Sequence, residues 1–161
     1  MKDPSLLDRY LLVRPRTRML IEWPILIATG LIGTIFSLQR IPFFPISNII
    51  GVVLLVAAFV IHQAMHKVHV QAHEQAEEIT KLVTNGIYTK MRHPGYSSLI
   101  LMYIGFALAW GILLIVVPAL VFTVLSVLTA MREEIVLRRK FDKEYKEYMK
   151  RVPWKFIPYV F

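Results

Sequence analysis

The chain has 161 residues, 56% of them hydrophobic, with a mean hydropathy of +0.53 and a formal charge of +8. That length suits one domain, and that hydropathy sets the chain among integral membrane proteins rather than soluble ones. It contains no cysteine, which excludes a disulfide framework, a thiolate metal site and a cysteine nucleophile. The positive charges gather at the ends of apolar segments, a pattern that suits anionic lipid headgroups and argues against nucleic acid as a partner.

Residues 1–18 carry Lys2, Arg9, Arg14, Arg16 and Arg18 among Leu6, Leu7, Tyr10, Leu11 and Leu12, the pattern of a short interfacial arm. A first spanning helix is expected over residues 19–38, since twenty residues rise about 30 Å, the thickness of the hydrocarbon core. Glu22 and Trp23 at its start read as an interfacial pair, and with no small-residue cleavage site at its end the run is expected to stay in the mature protein. Arg40, Pro42 and Pro45 turn the chain. A second span follows over 46–66, continuing into water as a polar helix through Glu78.

Residues 83–96, VTNGIYTKMRHPGY, form a polar knot between apolar segments. The apolar run at 97–130 is too long for one span and divides at Trp110 and Gly111 into spans over 96–110 and 112–131, the second kinking locally at Pro118. In the tail, residues 132–161, Leu137, Phe141, Tyr145 and Tyr148 recur at helical spacing, an amphipathic helix that Pro153 ends. Its aromatic end returns to the membrane surface or caps the site. Lys and Arg crowd the two termini and residues 67–92, which predicts that both termini are cytoplasmic in a multi-pass protein. The fold expected is therefore an all-α integral membrane domain of about four transmembrane helices, with a cytoplasmic pocket and an amphipathic C-terminal helix.

Chemistry has three possible seats. His62, His66, His69 and His73 lie within about 60° on one helical face, a spacing that can hold metal, though a stripe facing the bundle is the simpler account. No metal centre is assigned, and His73 is the member expected to meet a ligand. Arg92 and His93 precede Pro94, which suits the first turn of a helix, so unpaired N–H groups and the positive end of the dipole point at the knot. Glu133 and Glu134 end the last span beside Arg132; adjacent helical residues point about 100° apart, so one of the two is expected to face the site.

The blocks GIYTKMRHPGY, the EE pair and FDKEYKEYMKRVP occur in order over about residues 80–153. Together they resemble the membrane methyltransferase family that includes isoprenylcysteine carboxyl methyltransferase and the phospholipid N-methyltransferases. The resemblance implies S-adenosyl-L-methionine as cofactor and methyl transfer, by in-line displacement, to a lipid acceptor entering sideways from the bilayer. Carried over by position, it implies that Leu82 and Val83 line the adenosine site and that Tyr88 contacts the cofactor. His93, Pro94, Gly95 and Tyr96 hold its amino-acid part, and His73 and Glu133 supply polar contacts. Tyr145, Tyr148 and Arg151 match the tail that closes over the site. An amine acceptor would yield its proton to Glu133 or Glu134, and a carboxylate acceptor would be oriented by Arg92 or Arg132. Thr129 stands where the prenylcysteine enzymes carry an arginine, which argues against a prenylcysteine carboxylate.

The ending RVPWKFIPYVF, with RHPGY, is similar to the carboxy-terminal part of NADPH-using sterol reductases. That likeness implies an alternative, reduction of a lipid double bond. A membrane scaffold without catalysis is the reading that remains if neither cofactor binds.

Overall fold

The computed structural model describes residues 10, 11, 13, 15–68 and 78–160. Four α-helices carry the architecture: α1 Pro15–Ile35, α2 Ile46–His66, α3 Pro94–Trp110 and α4 Val116–Arg151, with short 3₁₀ turns at Gly86–Thr89 and Leu113–Ile115. Three helical stretches, Thr17–Ile35, Ile46–His66 and Leu113–Arg151, are long and apolar enough to cross a membrane. The fourth, α3, is apolar but has 17 residues, a rise of about 25 Å. The all-helical membrane architecture read from the sequence is the one observed, with α1 to α4 in the places of the spans expected over 19–38, 46–66, 96–110 and 112–131 and α4 running on through Arg151.

The helices end where local chemistry stops them. After α1, Ser37 adopts φ 50°, while the Leu38 amide donates to Gly33 O at 2.8 Å and the Ser37 amide to Thr34 O at 3.2 Å. That is a left-handed cap satisfying two orphan carbonyls, with serine in the place glycine usually takes. Pro94 starts α3 at a position that needs no N–H, and Gly111 closes it at φ 80° with its amide on Ala107 O. The loop after α1 is pinned to that turn: Ile41 N donates to Gly111 O and Leu113 N to Gln39 O, each at 2.9 Å.

Two details differ from the sequence reading. Pro118 lies in the first turn of α4, where a missing N–H costs no intrahelical bond, so the helix starts around it without the expected kink. The break falls instead at Asp142, with φ 31° and ψ −102°, and re-aims the last turns of α4. The described part of α2 ends at His66 with Lys67 as its cap. Its expected continuation through Glu78 falls largely on residues 69–77, outside the described residues.

Helices α2 and α3 make the closest contact in the bundle. A Cβ on Gly51 would lie 2.3 Å from Ala109 N and 2.7 Å from Gly105 O, so both small residues are required for the backbones to meet. One apolar cluster, around Leu26, Tyr103, Ile115 and Phe122, fills the membrane body. A second, around Met65, Ile79, Tyr88, Leu137, Tyr145 and Val152, fills the polar end of the bundle. Outward-facing side chains such as Leu20, Val53, Phe59 and Val117 are exposed and apolar, as a lipid-facing surface requires. Because no flexible side chain can yield at the α2–α3 contact, Gly51→Val is expected to cost about 1–3 kcal/mol or more. Thermal unfolding in detergent checks this, and an unchanged Tm would contradict the close contact.

Candidate functional site at the polar end of the bundle

The knot folds as a turn and a 3₁₀ segment before it becomes α3. Gly86 takes φ 58°, a left-handed conformation that glycine adopts without strain, and Thr89 Oγ1 donates back to Gly86 O at 2.8 Å. This sets Tyr88, Met91, Arg92 and His93 facing inward, all buried. Burial, reinforced by the negative charge of Glu133 and by Tyr148, pushes the Tyr88 phenol well above the usual tyrosine range, so it stays a neutral donor.

Glu134, buried on α4, is the hub of the site. Its Oε1 accepts from Arg92 Nε at 2.8 Å, lies 2.8 Å from Arg92 NH2 and 3.2 Å from His93 Nε2. Its Oε2 is 3.6 Å from Arg138 and 3.8 Å from Lys155 Nζ. The other arm of Arg92 donates to the carbonyls of Val152 and Pro153, both at 2.8 Å. Three further contacts fasten the tail to the knot: Arg92 N to Trp154 O and His93 N to Lys155 O, each at 2.9 Å, and Ser97 Oγ to Phe156 O at 2.8 Å. Tyr148 also donates to Tyr88 O at 2.8 Å.

The structure brings most of the expected site residues together and separates a few. Leu82 and Val83 are half-buried against the cluster that holds Tyr88, Tyr145 and Tyr148. Pro94 is buried beside His93, and a Cβ at Gly95 would meet Met65 Sδ at 2.9 Å. Tyr145 is buried with no hydrogen-bond partner for its hydroxyl among the described residues. Both glutamates face inward, correcting the expectation of one: Glu134 turns to Arg92 and His93, and Glu133 accepts from Tyr96. Arg132 is half-buried, whereas Arg151 is exposed at the last turn of α4. His73, expected to meet a ligand, lies outside the described residues. Lys155 and Ser97 were not singled out by the sequence reading; a lysine between Trp154 and Phe156 was the available signal.

A second polar group lies deeper. Glu22, read from the sequence as interfacial, is 1% exposed inside the bundle. It accepts from Arg18 Nε and NH2 at 3.2 Å and from the phenols of Tyr10 and Tyr103, and Arg18 NH1 donates to Thr129 at 2.6 Å. Trp23, its expected companion, packs edge-on against Phe106. The missed signal was an arginine four residues before a glutamate, both within reach of an apolar span.

Fold and site together define a small helical membrane protein with a charged, tail-capped centre at one end of its bundle. The chain belongs to the ergosterol biosynthesis ERG4/ERG24 family, whose profile matches residues 34–161. It is 35% identical over 83 residues to the Delta(14)-sterol reductase TM7SF2 of Mus musculus, a match covering 50% of this chain and 20% of the relative. It is 32% identical over 84 residues to a probable 7-dehydrocholesterol reductase of Acanthamoeba polyphaga mimivirus, 51% of this chain and 19% of the relative. A probable protein-S-isoprenylcysteine O-methyltransferase of Oryza sativa subsp. indica is 36% identical over 77 residues, 47% of this chain and 40% of the relative. The chain thus spans about a fifth of the length of the sterol reductases it matches. No solved structure matches it. The family assignment moves the weight of the resemblance from the methyltransferases toward the sterol reductases.

Removing the hub should leave Arg92 buried without its counter-charge. Glu134→Gln is expected to cost about 3 kcal/mol of stability, and Glu144→Ala on the exposed part of α4 less than about 0.5 kcal/mol. Thermal melts of the two variants side by side check the difference.

Proposed function

We propose that the protein reduces a carbon–carbon double bond of a sterol-like membrane lipid with NADPH. The observation that carries this reading is the docking of Val152, Pro153, Trp154, Lys155 and Phe156 onto the knot through Arg92, His93 and Ser97. The tail whose sequence is similar to the reductases is thereby built into the site, and the family match includes it. The relatives named as sterol reductases support the substrate class.

The residues present fit a polyanionic dinucleotide. Between residues 132 and 155, nine cationic side chains stand against five anionic ones. Arg138 and Lys155 sit on the outer oxygen of Glu134, next to the first turn of α3, whose amides a helix cannot satisfy internally. When bound, such a cofactor supplies a hydride. Lys155 and Arg138 would hold its phosphates, while the rings of His93, Tyr96 and Phe156, with centroids 5.8–5.9 Å apart, offer flat apolar faces. Arg92 positions rather than binds, because its guanidinium is occupied by Glu134 and the tail carbonyls. Tyr88, close to Glu133 and outside the spans, is a neutral phenol from which the second carbon could receive its proton. The distribution of Lys and Arg supports a cytoplasmic side for the pocket.

Methyl transfer from S-adenosyl-L-methionine is the second reading, and one contact favours it. Arg18 NH1 bonds Thr129, so a guanidinium from α1 reaches the place where the prenylcysteine enzymes carry an arginine. In that case His93, Tyr96, Glu133, Leu82 and Val83 would hold the cofactor and Arg18 the acceptor's polar end.

Calorimetry on the purified protein in nanodiscs, with NADPH and S-adenosylhomocysteine as parallel ligands, separates the readings. We expect NADPH to bind, Lys155→Ala to weaken it about tenfold, consistent with loss of one charge-assisted contact, and S-adenosylhomocysteine not to compete. Binding of S-adenosylhomocysteine alone would replace reduction by methyl transfer.

A further inference from the structure

The group around Glu22 has no part in the site just described, and most of it precedes the family match, which begins at residue 34. An ionisable pair inside apolar helices is costly and marks function more often than stability. Arg18 and Glu22 are 2% and 1% exposed and bond each other within α1. Tyr103 from α3 and Thr129 from α4 complete the group. It lies in the helical bundle, on the same helix as the exposed apolar side chains Leu20, Ile21 and Ile25.

Three observations define what it would take. The charges of Arg18 and Glu22 cancel; an anionic ligand would face the carboxylate and a cationic one the guanidinium, whereas a neutral hydroxyl meets no net charge. Tyr10 enters from the arm before α1, is half-buried, lays its ring 4.8 Å from the Arg18 guanidinium, and donates its hydroxyl to Glu22. Burial and the Glu22 hydrogen bond push that phenol up to about 12, so it remains a donor at neutral pH. A ring carrying one hydroxyl is also the polar end of a sterol. Third, Ser126 on α4, one turn before Thr129 and fully buried, has no partner for its hydroxyl among the described residues. An unsatisfied buried hydroxyl is expensive unless a ligand completes it.

We infer that the Arg18–Glu22–Tyr103 group is the polar end of the lipid site and accepts the neutral hydroxyl of a sterol-like lipid, whose place the Tyr10 phenol occupies in the closed protein. Tyr10 is then a plug that substrate displaces: its hydroxyl leaves Glu22 as the lipid hydroxyl arrives, and no charge is left uncompensated in the bundle. The inference rests on the reduction reading for its substrate class and adds to it a recognition site and an occluding residue.

The test uses the full chain in nanodiscs with dehydroergosterol, a fluorescent sterol with a free hydroxyl, and its acetate ester, read by energy transfer from tryptophan. The free sterol should bind about tenfold tighter than the ester, the worth of one good buried hydrogen bond. Tyr10→Ala should tighten free-sterol binding several-fold by removing the competitor. Glu22→Gln should bring the two ligands to within about twofold. Tyr103→Phe, which removes one donor and keeps the ring, should narrow the preference if Glu22→Gln fails to fold. Equal binding of sterol and ester by the wild type, or weaker sterol binding by Tyr10→Ala, would overturn the inference while leaving reduction standing. Binding of S-adenosylhomocysteine with no sterol binding would remove both.

Discussion

A carboxylate taken out of water must find its compensation nearby or give up its charge, and Glu134 finds it in Arg92 and His93. The consequence is structural before it is chemical. Arg92 is a planar fork with donors on both edges; it binds Glu134 with one and the carbonyls of Val152 and Pro153 with the other. One side chain therefore ties the middle of α4, the start of α3 and the tail into a single body. Lysine could not replace it, because a point charge cannot satisfy two oxygen acceptor sets on opposite edges. The roof of the site is held by the residue that a sequence reader would most readily assign to the ligand.

The bundle carries two buried ion pairs at different depths, and their surroundings differ in kind. Around Glu134 the cations outnumber the carboxylate, with Arg138 and Lys155 reaching the same group from the outer side. Around Glu22 one arginine meets one glutamate and the remaining partners are neutral hydroxyls. An electropositive centre next to water suits a multiply charged soluble molecule. A charge-balanced one enclosed by apolar helices suits a neutral polar group on a lipid. The two environments lie along α3 and α4, with the Tyr96–Glu133 contact also joining those helices.

Much of this was legible in the sequence, and what was not has physical causes. The spans follow from hydropathy, and the start and end of α3 follow from Pro94 and Gly111, whose backbone demands are visible in their names. The knot residues were picked out because polar side chains between apolar runs need a reason. The docking of the tail was not legible in its detail, since the amides of Arg92 and His93 bond carbonyls of Trp154 and Lys155, and main-chain groups leave no residue signature. Pro118 misled because a proline's effect depends on whether it falls inside a helix or in its first turn, a difference of two or three residues. Glu22 misled for a related reason: near a helix start, a charge that faces lipid headgroups and one that faces the bundle differ only by rotation about the axis, which hydropathy does not report.

Among the described helices, the family profile leaves the first unmatched for most of its length, and that helix makes specific inward contacts. About four-fifths of the matched Delta(14)-sterol reductase lies outside the segment shared with this chain. What α1 contributes inward is a charged pair, an aromatic at Trp23 packed on Phe106, and Leu26 in the apolar cluster, while Leu20 and Ile21 face outward. A helix recruited only to seal the bundle would have no use for Arg18 and Glu22, since apolar residues of the same volume would pack at lower cost. Instead the pair lies in the interior and ties α1 to α3 and α4 through Tyr103 and Thr129, at a cost that a purely sealing helix would avoid.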